Sequence, residues 1–318
     1  MQEQNVRELK NKASRLLRDK TVDRVAGFVA GEFAYDPSPC VFYSAEDVEK
    51  SMIYDCFCSR NFSKFLVKET KKPGKIAVFM KPCDTYSLNQ LITEHKIDRD
   101  KIYIVGIGCN GMVDAFKLRN KTDSALLGAV RDNCALNVKT PDGDITLDIG
   151  EVLAKRCLVC KSKKHVYYDE LLCEPSFETN AGRFEKVERI EQMSADERYE
   201  YFRSELSKCI RCNACRDACP ACTCETCVFG ESSSGAESRE NANEFEEKLF
   251  HIIRAYHVAG RCTDCGECSR VCPQRIPLHL LNRKFILDIN RFFGEYQAGE
   301  TVGQIPPLTD KNESDPEV

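Results

Sequence analysis

The sequence has no tryptophan, only five histidines and no long apolar run in its 318 residues. Its longest apolar stretches, Ile76–Met80 and Ile102–Cys109, have the length of strands, whereas a membrane span needs about 20 apolar residues. The first residues also lack the basic-then-apolar layout of a secretory signal. We therefore expect no membrane span and a cytoplasmic location.

A surplus of one charge is missing as well. The 46 basic and 50 acidic residues leave a net charge of -4, without the basic excess that is typical of proteins that bind nucleic acid. No Ser–His–acid set or pair of carboxylates stands out, so we assign no catalytic residue and leave independent enzymatic activity open. We expect the histidines to be structural residues with satisfied hydrogen bonds, with His165 as the one candidate ligand because it closely follows Cys160. The other four are His95, His251, His257 and His279.

Cysteine, by contrast, is abundant. Of 20 cysteines, 11 fall between Cys209 and Cys272, many of them one to three residues apart. Cysteines at this spacing are poorly placed for disulfides with each other, but they can converge on a metal centre. Because no export signal is present, we expect reduced thiols that act as ligands.

Two repeated motifs carry eight of these cysteines. Cys209-x2-Cys212-x2-Cys215-x3-Cys219-Pro and Cys262-x2-Cys265-x2-Cys268-x3-Cys272-Pro have the spacing of bacterial two-cluster ferredoxins, in which the fourth cysteine of each motif binds the other 4Fe-4S cluster. The first cysteine set is then Cys209, Cys212, Cys215 and Cys272. The second cysteine set is Cys219, Cys262, Cys265 and Cys268. Zinc ribbons are the alternative, but they use only four ligands per metal.

Three extra cysteines follow the first motif: Cys222, Cys224 and Cys227. Clustered free thiols are an oxidation hazard, so we expect them to hold an additional 4Fe-4S cluster or a zinc ion. Spare buried thiols are the alternative.

Residues 24–190 show an α/β pattern in which two apolar strands, Lys75–Met80 and Lys101–Gly106, are each followed by a helix-like segment, Thr85–His95 and Val113–Asn120. This spacing predicts parallel strands in a partly parallel sheet. Cysteines follow both strands, at the edge where open α/β sheets bind ligands. We define the N-terminal quartet, a candidate metal site, as Cys83, Cys109, Cys157 and Cys160. Small core residues are the alternative for Cys83 and Cys109. Cys56 and Cys58 are further candidates, and Cys40, Cys134 and Cys173 are read as structural.

A glycine motif follows the second of these strands. Gly106, Gly108 and Gly111 match G-x-G-x-x-G, a pattern of dinucleotide-binding loops. The motif predicts a cofactor site, with FAD as a candidate, although a cysteine lies inside the loop.

The C-terminal part is expected to be helix-rich. Ser194 begins a capping box before Arg198–Ser207, and a helix Leu278–Phe293 ends at Gly294. A long helix before Cys262 carries an apolar face formed by Phe245, Leu249, Ile252, Ile253 and Tyr256. Gly230–Glu240 is a polar loop.

The predicted domains are an N-terminal helix 1–23, an α/β cysteine-containing domain 24–190, a helix-rich dicluster ferredoxin-like (α+β) domain 191–295 and an extended or disordered tail 296–318.

Several segments resemble a known family. Residues 54–114, with YDCFCSRNFSKFL, KIAVFMKPCD and KIYIVGIGCNGMVD, resemble the beta-subunit family of deazaflavin-coenzyme-dependent hydrogenases and formate dehydrogenases. RCLVCKSKKHVYYDELL resembles a C-x2-C element of its relatives, and SKCIRCNACRDACPACTCETC with HVAGRCTDCGECSRVCP resembles their dicluster half. The resemblance implies an electron-transfer subunit of a larger anaerobic oxidoreductase.

The predicted function is therefore an iron–sulfur relay between partner redox subunits of a hetero-oligomeric complex, such as a flavoprotein and hydrogenase- or dehydrogenase-type subunits. Two alternatives stay open. One is a flavin-containing subunit that itself reduces or oxidises a deazaflavin or nicotinamide carrier. A chain of 318 residues is short for a full flavin and coenzyme site in addition to two clusters. The other is a zinc-stabilised interaction module.

Overall fold

The computed structural model describes residues 3–132, 134–162, 164–173, 182–230 and 244–307, with the backbone alone for 3–5 and 244–247. Within these ranges no helix is long and apolar enough to cross a membrane. The chain divides into two compact units. Unit 1 comprises Met1–Thr85 and Ile97–Ala181, and unit 2 comprises Tyr86–Lys96 and Gly182–Val318.

Unit 1 contains the strands of the described chain. They are β1 (Arg24–Val29), β2 (Ser38–Phe42), β3 (Met52–Ile53), β4 (Ile76–Met80), β5 (Ile102–Gly106), β6 (Gly128–Asp132), β7 (Ala135–Lys139), β8 (Ile145–Asp148) and β9 (Glu170–Leu171). Its helices are α1 (Glu3–Arg18), α2 (Ala45–Ser51), α3 (Ser63–Glu69), the start of α4 (Pro82–Thr93), α5 (Ala115–Arg119), α6 (Ile149–Val152) and α7 (Lys155–Leu158), with a 3-10 turn at Arg99–Lys101.

The main sheet of unit 1 is partly parallel, as the sequence predicts. Its order is β2-β1-β4-β5-β9, with β3 also paired to β1. The pairs β1–β4, β4–β5 and β5–β9 are parallel, whereas β2 and β3 run antiparallel to β1. Every residue of β4 is buried, which is typical of a parallel strand covered on both faces. Met80 pairs with Gly106, so the segments that carry Cys83 and Cys109 leave the sheet at the same edge.

A second sheet, β6-β7-β8, is a fully antiparallel meander. The turn at residues 141–143 connects β7 to β8, with Gly143 at a positive φ. Apolar side chains of this sheet, including Leu136 and Val138, pack with Cys56, Val113 and Val152 in one buried cluster. The meander was not recognised from the sequence, because its exposed alternate residues leave only a weak apolar pattern.

Unit 2 is helix-rich, as expected. It contains α8 (Glu185–Glu191), α9 (Ala195–Leu206), α10 (Ala214–Asp217), α11 (Glu244–His257), α12 (Glu267–Arg270) and α13 (His279–Phe293), with a 3-10 turn at Val228–Gly230. The capping box forms, because the Glu197 amide donates to Ser194 Oγ at 3.2 Å and the Ser194 amide donates to Glu197 Oε2 at 2.9 Å. Gly294 ends α13 with a positive φ.

The predicted apolar face of α11 is not its buried face. Leu249, Ile252 and Tyr256 are 42%, 42% and 61% exposed, whereas Phe250 and Arg254 are buried. The buried face of α11 combines apolar residues such as Phe250 with polar residues such as Arg254.

The domain limits expected from the sequence stay a prediction, and the two compact units divide the chain at other positions. Helix α1 belongs to unit 1, the units meet in sequence at 181 and 182, and Tyr86–Lys96 joins unit 2. The first residues of the expected tail are packed: Tyr296, Gln297 and Ala298 are buried, and the Tyr296 hydroxyl donates to the Gly260 carbonyl at 2.8 Å. Residues 231–240 of the predicted polar loop and 308–318 of the tail lie outside the described residues.

Candidate metal centres

The two cysteine motifs fold into loops with the same backbone pattern. Arg211 and Asn213 in the first motif have φ values of 51° and 61°, and the equivalent Asp264 and Gly266 in the second have 57° and 70°. Left-handed residues between ordinary ones turn successive amides toward one side of a loop, which creates a concave site for anions such as iron–sulfur clusters. The matched pattern therefore gives the two loops the same concave backbone form.

Each loop continues into a short helix that presents the third cysteine. Helices α10 and α12 begin directly after Asn213 and Gly266, and each carries its motif's third cysteine at its second position. The fourth cysteines, Cys219 and Cys272, follow these helices and precede prolines, which fix the backbone φ and remove an amide donor.

All four members of the first cysteine set line one cavity. Its wall also contains Phe250 and His251 of α11 and the apolar side chains of Ile276 and Leu278. Burial raises the pKa of the Cys215 thiol to about 12. The charge of Arg254 lowers this pKa, whereas nearby thiols of both sets raise it. The structure thus brings Cys272 of the second motif to the first three cysteines of the first.

The second cysteine set is also brought together. Burial raises the pKa of Cys262, Cys265 and Cys268, and the nearby thiol of Cys219 raises each of them further. Cys219 packs in a small buried cluster that includes Cys262 and Val258. Because Coulombic effects weaken with distance, Cys219 lies close to the second motif.

Two buried polar side chains beside these sites have no hydrogen-bond partner in the part of the chain that the structure describes. Among the described residues, none accepts from the guanidinium of Arg254 or bonds to either ring nitrogen of His251, although both residues are at most 2% exposed. Such groups normally have partners. Together with free thiols at all 20 cysteines, they fit anionic clusters held by thiolates.

A single metal ion is a poorer fit to these arrangements. Within the described ranges, no three or more His, Cys, Asp or Glu side chains are grouped in a way that could hold one metal ion. A cubane cluster offers a separate iron to each thiolate, so its ligands surround a cavity, as the first cysteine set does.

The three extra cysteines lie in different surroundings. Cys222 packs against the cluster that contains Cys219 and Cys262, and Cys224 is exposed. Burial lowers the pKa of the Arg216 guanidinium, but Asp217 outweighs burial and raises this pKa. The nearby Cys227 raises it further. An additional metal site at these residues stays a prediction.

The N-terminal quartet is brought together in unit 1. Burial raises the pKa of Cys109 to about 12, and the thiols of Cys157 and Cys160 add to the rise. Burial and Asp84 raise the pKa of Cys83, and Cys160 and Cys109 contribute again. Cys157 Sγ accepts from the Met112 amide at 3.5 Å. Parallel pairing of β4 and β5 explains the convergence, because both strands end at this edge.

A buried ion pair beside the quartet was missed by the sequence analysis. Lys81 Nζ lies 2.8 Å from Asp84 Oδ2, with the two side chains 2% and 1% exposed, and it also donates to the carbonyls of Cys58 and Arg60. Burial opposes the charge of Lys81, but Asp84 and then Cys83 outweigh it and raise its pKa. The signal was a lysine and an aspartate flanking Pro82-Cys83 directly after a buried strand.

The other N-terminal cysteines have ordinary protein contacts. Cys58 Sγ accepts from the Asp55 amide at 3.3 Å, and Cys173 Sγ accepts from the Gly108 amide at 3.2 Å. Cys56 lies in a buried apolar cluster. Cys40 is partly buried on β2, and Cys134 is exposed.

Two glycines of the G-x-G-x-x-G motif, Gly106 and Gly111, lie in tightly packed positions. A Cβ on Gly106 would lie 2.7 Å from Leu171 of β9, and Gly111 has a φ of 90° with Leu153 close by. The following helix, α5, begins only at Ala115 and spans five residues. A dinucleotide or FAD site at Gly106, Gly108 and Gly111 stays a prediction.

The histidines differ from one another. His165 Nε2 donates to the carbonyl of Met80 at 3.0 Å and lies 3.2 Å from that of Ile107, so it has backbone partners. His279 bonds to Ser269 at 2.8 Å. His251 is the exception to the expectation of satisfied histidines. Burial first, and then Arg254 and Arg211, lower its pKa to about 3, so its ring is neutral at neutral pH.

Comparison with known proteins identifies the C-terminal region. Residues 205–276 match the 4Fe-4S dicluster domain family. The chain is 25% identical over 350 aligned residues to the F420-dependent formate dehydrogenase subunit beta of Methanocaldococcus jannaschii, covering 92% of this chain and 91% of that protein.

Two further similarities cover smaller parts. A match to the F420-dependent formate dehydrogenase 1 subunit beta of Methanococcus maripaludis is 33% identical over 98 residues, which are 31% of this chain and 25% of that protein. A chain of the xenon-derivatised F420-reducing NiFe hydrogenase complex from Methanosarcina barkeri matches 50% of this chain and 63% of its own length, at 18% identity and a TM-score of 0.36. The predicted resemblance to beta subunits of such oxidoreductases, and the predicted 4Fe-4S character of the C-terminal region, are confirmed.

Proposed function

We propose that this chain is an electron-transfer subunit that relays electrons through two 4Fe-4S clusters. The first cysteine set holds one cluster and the second set holds the other. The observation that carries the proposal is the exchange of fourth cysteines: Cys272 lines the cavity of the first motif, and Cys219 lies among the thiols of the second. When bound, such clusters accept and release one electron at a time.

The protein's own residues prepare these sites for electron transfer. The buried thiols of Cys209 and Cys215 and apolar walls, including Phe250 and Ile276, limit the access of water to the first site. The left-handed loop residues aim backbone amides toward each site, and the Arg211 amide lies 3.4 Å from Cys209 Sγ as a donor. Hydrogen bonds to the sulfurs and limited exposure are the features that set cluster potentials.

The N-terminal quartet supplies a third metal site in this proposal. The four cysteines are partly buried, Cys109 and Cys160 influence the pKa of Cys83, and a buried lysine lies beside them, an arrangement that suits a further 4Fe-4S cluster. The charge of Lys81 would offset the negative charge of a thiolate site.

The names of the similar sequences support a place in a larger oxidoreductase. These sequences are named as beta subunits of F420-dependent formate dehydrogenases. We therefore place this chain between other redox subunits of a hetero-oligomeric oxidoreductase, a flavoprotein and a dehydrogenase- or hydrogenase-type subunit, with a deazaflavin as the final carrier.

The test is metal and sulfide analysis of anaerobically purified protein, with EPR of the reduced form. We expect about eight irons with matching sulfide for two clusters, and about twelve if the quartet holds a third, at four irons per cluster. Zinc without inorganic sulfide would refute the relay and select the interaction module. Flavin released on acid denaturation, with reduction of a deazaflavin by the isolated chain, would select the flavin-containing alternative.

A further inference from the structure

Arg254 is a buried cation whose guanidinium has no hydrogen-bond partner among the described residues. It is 2% exposed, and within the described part of the chain nothing accepts a hydrogen bond from Nε, Nη1 or Nη2. A buried charge is strongly unfavourable unless it is paired. The position therefore calls for an anion that touches this side chain.

Helix α11 places Arg254 between the two cysteine sets. Phe250, four residues earlier, packs with Cys209, Cys215 and Cys268 in one buried cluster. Val258, four residues later, packs with Cys219 and Cys262. Residues four apart in a helix lie on the same face, so the buried face of α11 runs from the first set to the second, with Arg254 midway.

Electrostatic contacts agree with this placement. Burial opposes the charged form of Arg254, but nearby cysteines outweigh it and raise the pKa of the guanidinium. Those cysteines include Cys215 from the first set and Cys268 and Cys219 from the second. One charge is thus shared by both sites.

We propose that Arg254 is a positioning residue that stabilises the negative charge of both clusters and so favours their reduced states. The inference rests on the proposed function. Reduction of either cluster adds one electron from a donor and no proton, and the guanidinium stays charged throughout. A fixed positive charge beside a cluster raises its reduction potential. Because Arg254 lies between the sets, it raises both potentials.

The experiment is a potentiometric titration of the full chain, followed by EPR and paired with iron analysis. Arg254→Met is expected to lower the equilibrium constant for reduction of each cluster about tenfold, which is 59 mV for a one-electron couple. Arg254→Lys keeps the charge and should stay near the wild-type potentials. Arg203→Met removes an exposed arginine that pairs with Glu200 on α9, and as the matched control it should change neither potential.

Unchanged potentials in Arg254→Met with full iron content, or a shift in one cluster alone, would overturn the shared role. If Arg254→Met loses iron, the lysine variant decides. Wild-type iron and potentials in Arg254→Lys support a role of charge, and loss of either shows a packing role and overturns the proposal. Absence of inorganic sulfide from the wild-type chain would instead refute the proposed function before any variant is compared.

Discussion

At the scale of single residues, Asp264 fixes the loop of the second motif. It has a left-handed backbone conformation, and its carboxylate accepts from Arg183 Nε at 2.8 Å and from Arg283 Nη2 at 3.0 Å. Burial opposes its charge, but Arg283 and Arg183 outweigh this effect and hold the pKa of Asp264 below its ordinary value. The residue therefore ties the cysteine loop to two other segments of unit 2.

We expect Asp264→Asn to weaken the second cluster site. Asparagine tolerates the left-handed conformation, so the change removes the charge with little backbone strain. Removing one partner of a buried ion pair costs about 3–5 kcal/mol, because the other charges are left uncompensated. The measurement is the denaturant midpoint for loss of cluster absorbance under anaerobic conditions. Asp217→Asn, which alters an exposed pair with Arg216, is the control and should shift the midpoint little.

The pH dependence of this effect follows from the lowered pKa of Asp264. A depressed carboxyl contributes stability above its unfolded pKa of about 3.9 and loses that contribution as pH falls through the folded value. The difference between wild type and Asp264→Asn should therefore stay constant between about pH 6 and pH 8. A difference that shrinks within this range would contradict a carboxylate that is already ionised.

The candidate ligands could be predicted at this scale, whereas their charged neighbours could not. Cysteine spacing is local in sequence and reflects the reach of three thiolates on one tight loop. Arg254 and His251 carry no such signal, because each is an ordinary polar residue of a helix. Only the packing of α11 against loops from both motifs shows that these two residues are buried.

At the scale of elements, the arrangement depends on exchange of the fourth cysteines between two equivalent loops. Replacement of paired ligands tests it directly. If Cys219 and Cys262 hold the same cluster, the single variant Cys219→Ala should lose about four irons. The double variant Cys219→Ala/Cys262→Ala should also lose about four, because both residues belong to one cluster. The double variant Cys219→Ala/Cys209→Ala should lose about eight, because the two residues belong to different clusters. Anaerobic iron and sulfide analysis gives the counts. If the Cys219–Cys209 pair loses no more than Cys219→Ala alone, the fourth cysteine serves its own motif and the exchange is refuted.

Elements were predicted well where one local signal decides them. The capping box fixes the start of α9, buried apolar runs fix β4 and β5, and Gly294 fixes the end of α13. The buried face of α11 was missed because apolar periodicity points to Leu249 and Ile252, which are exposed. The face that packs is chosen by the cysteine loops, which are distant from most of the helix in sequence.

At the scale of the whole molecule, contacts between distant residues decide which segments form each compact unit. Tyr86–Lys96 belongs to unit 2 because Asn89 donates to the carbonyls of Gly299 and Thr301, and Glu94 pairs with Arg261 at 2.5 Å. These contacts join residues far apart in the chain, so no local sequence pattern predicts them. They also explain why the chain stays packed beyond residue 295.

Each unit carries its own cysteine cluster, which leads to a prediction for the complete chain. Cys109→Ala should remove the metal of the proposed quartet site, about four irons for a 4Fe-4S cluster, because one of its four thiolates is lost. The EPR signals of the clusters proposed for residues 205–276 should not change, since no quartet cysteine belongs to either set. Cys134→Ala, which alters an exposed thiol of the same unit, is the matched control and should keep all metal. Equal metal content in Cys109→Ala and wild type would show that the quartet is a group of core thiols, whereas loss of the C-terminal signals would show that its cysteines serve those clusters.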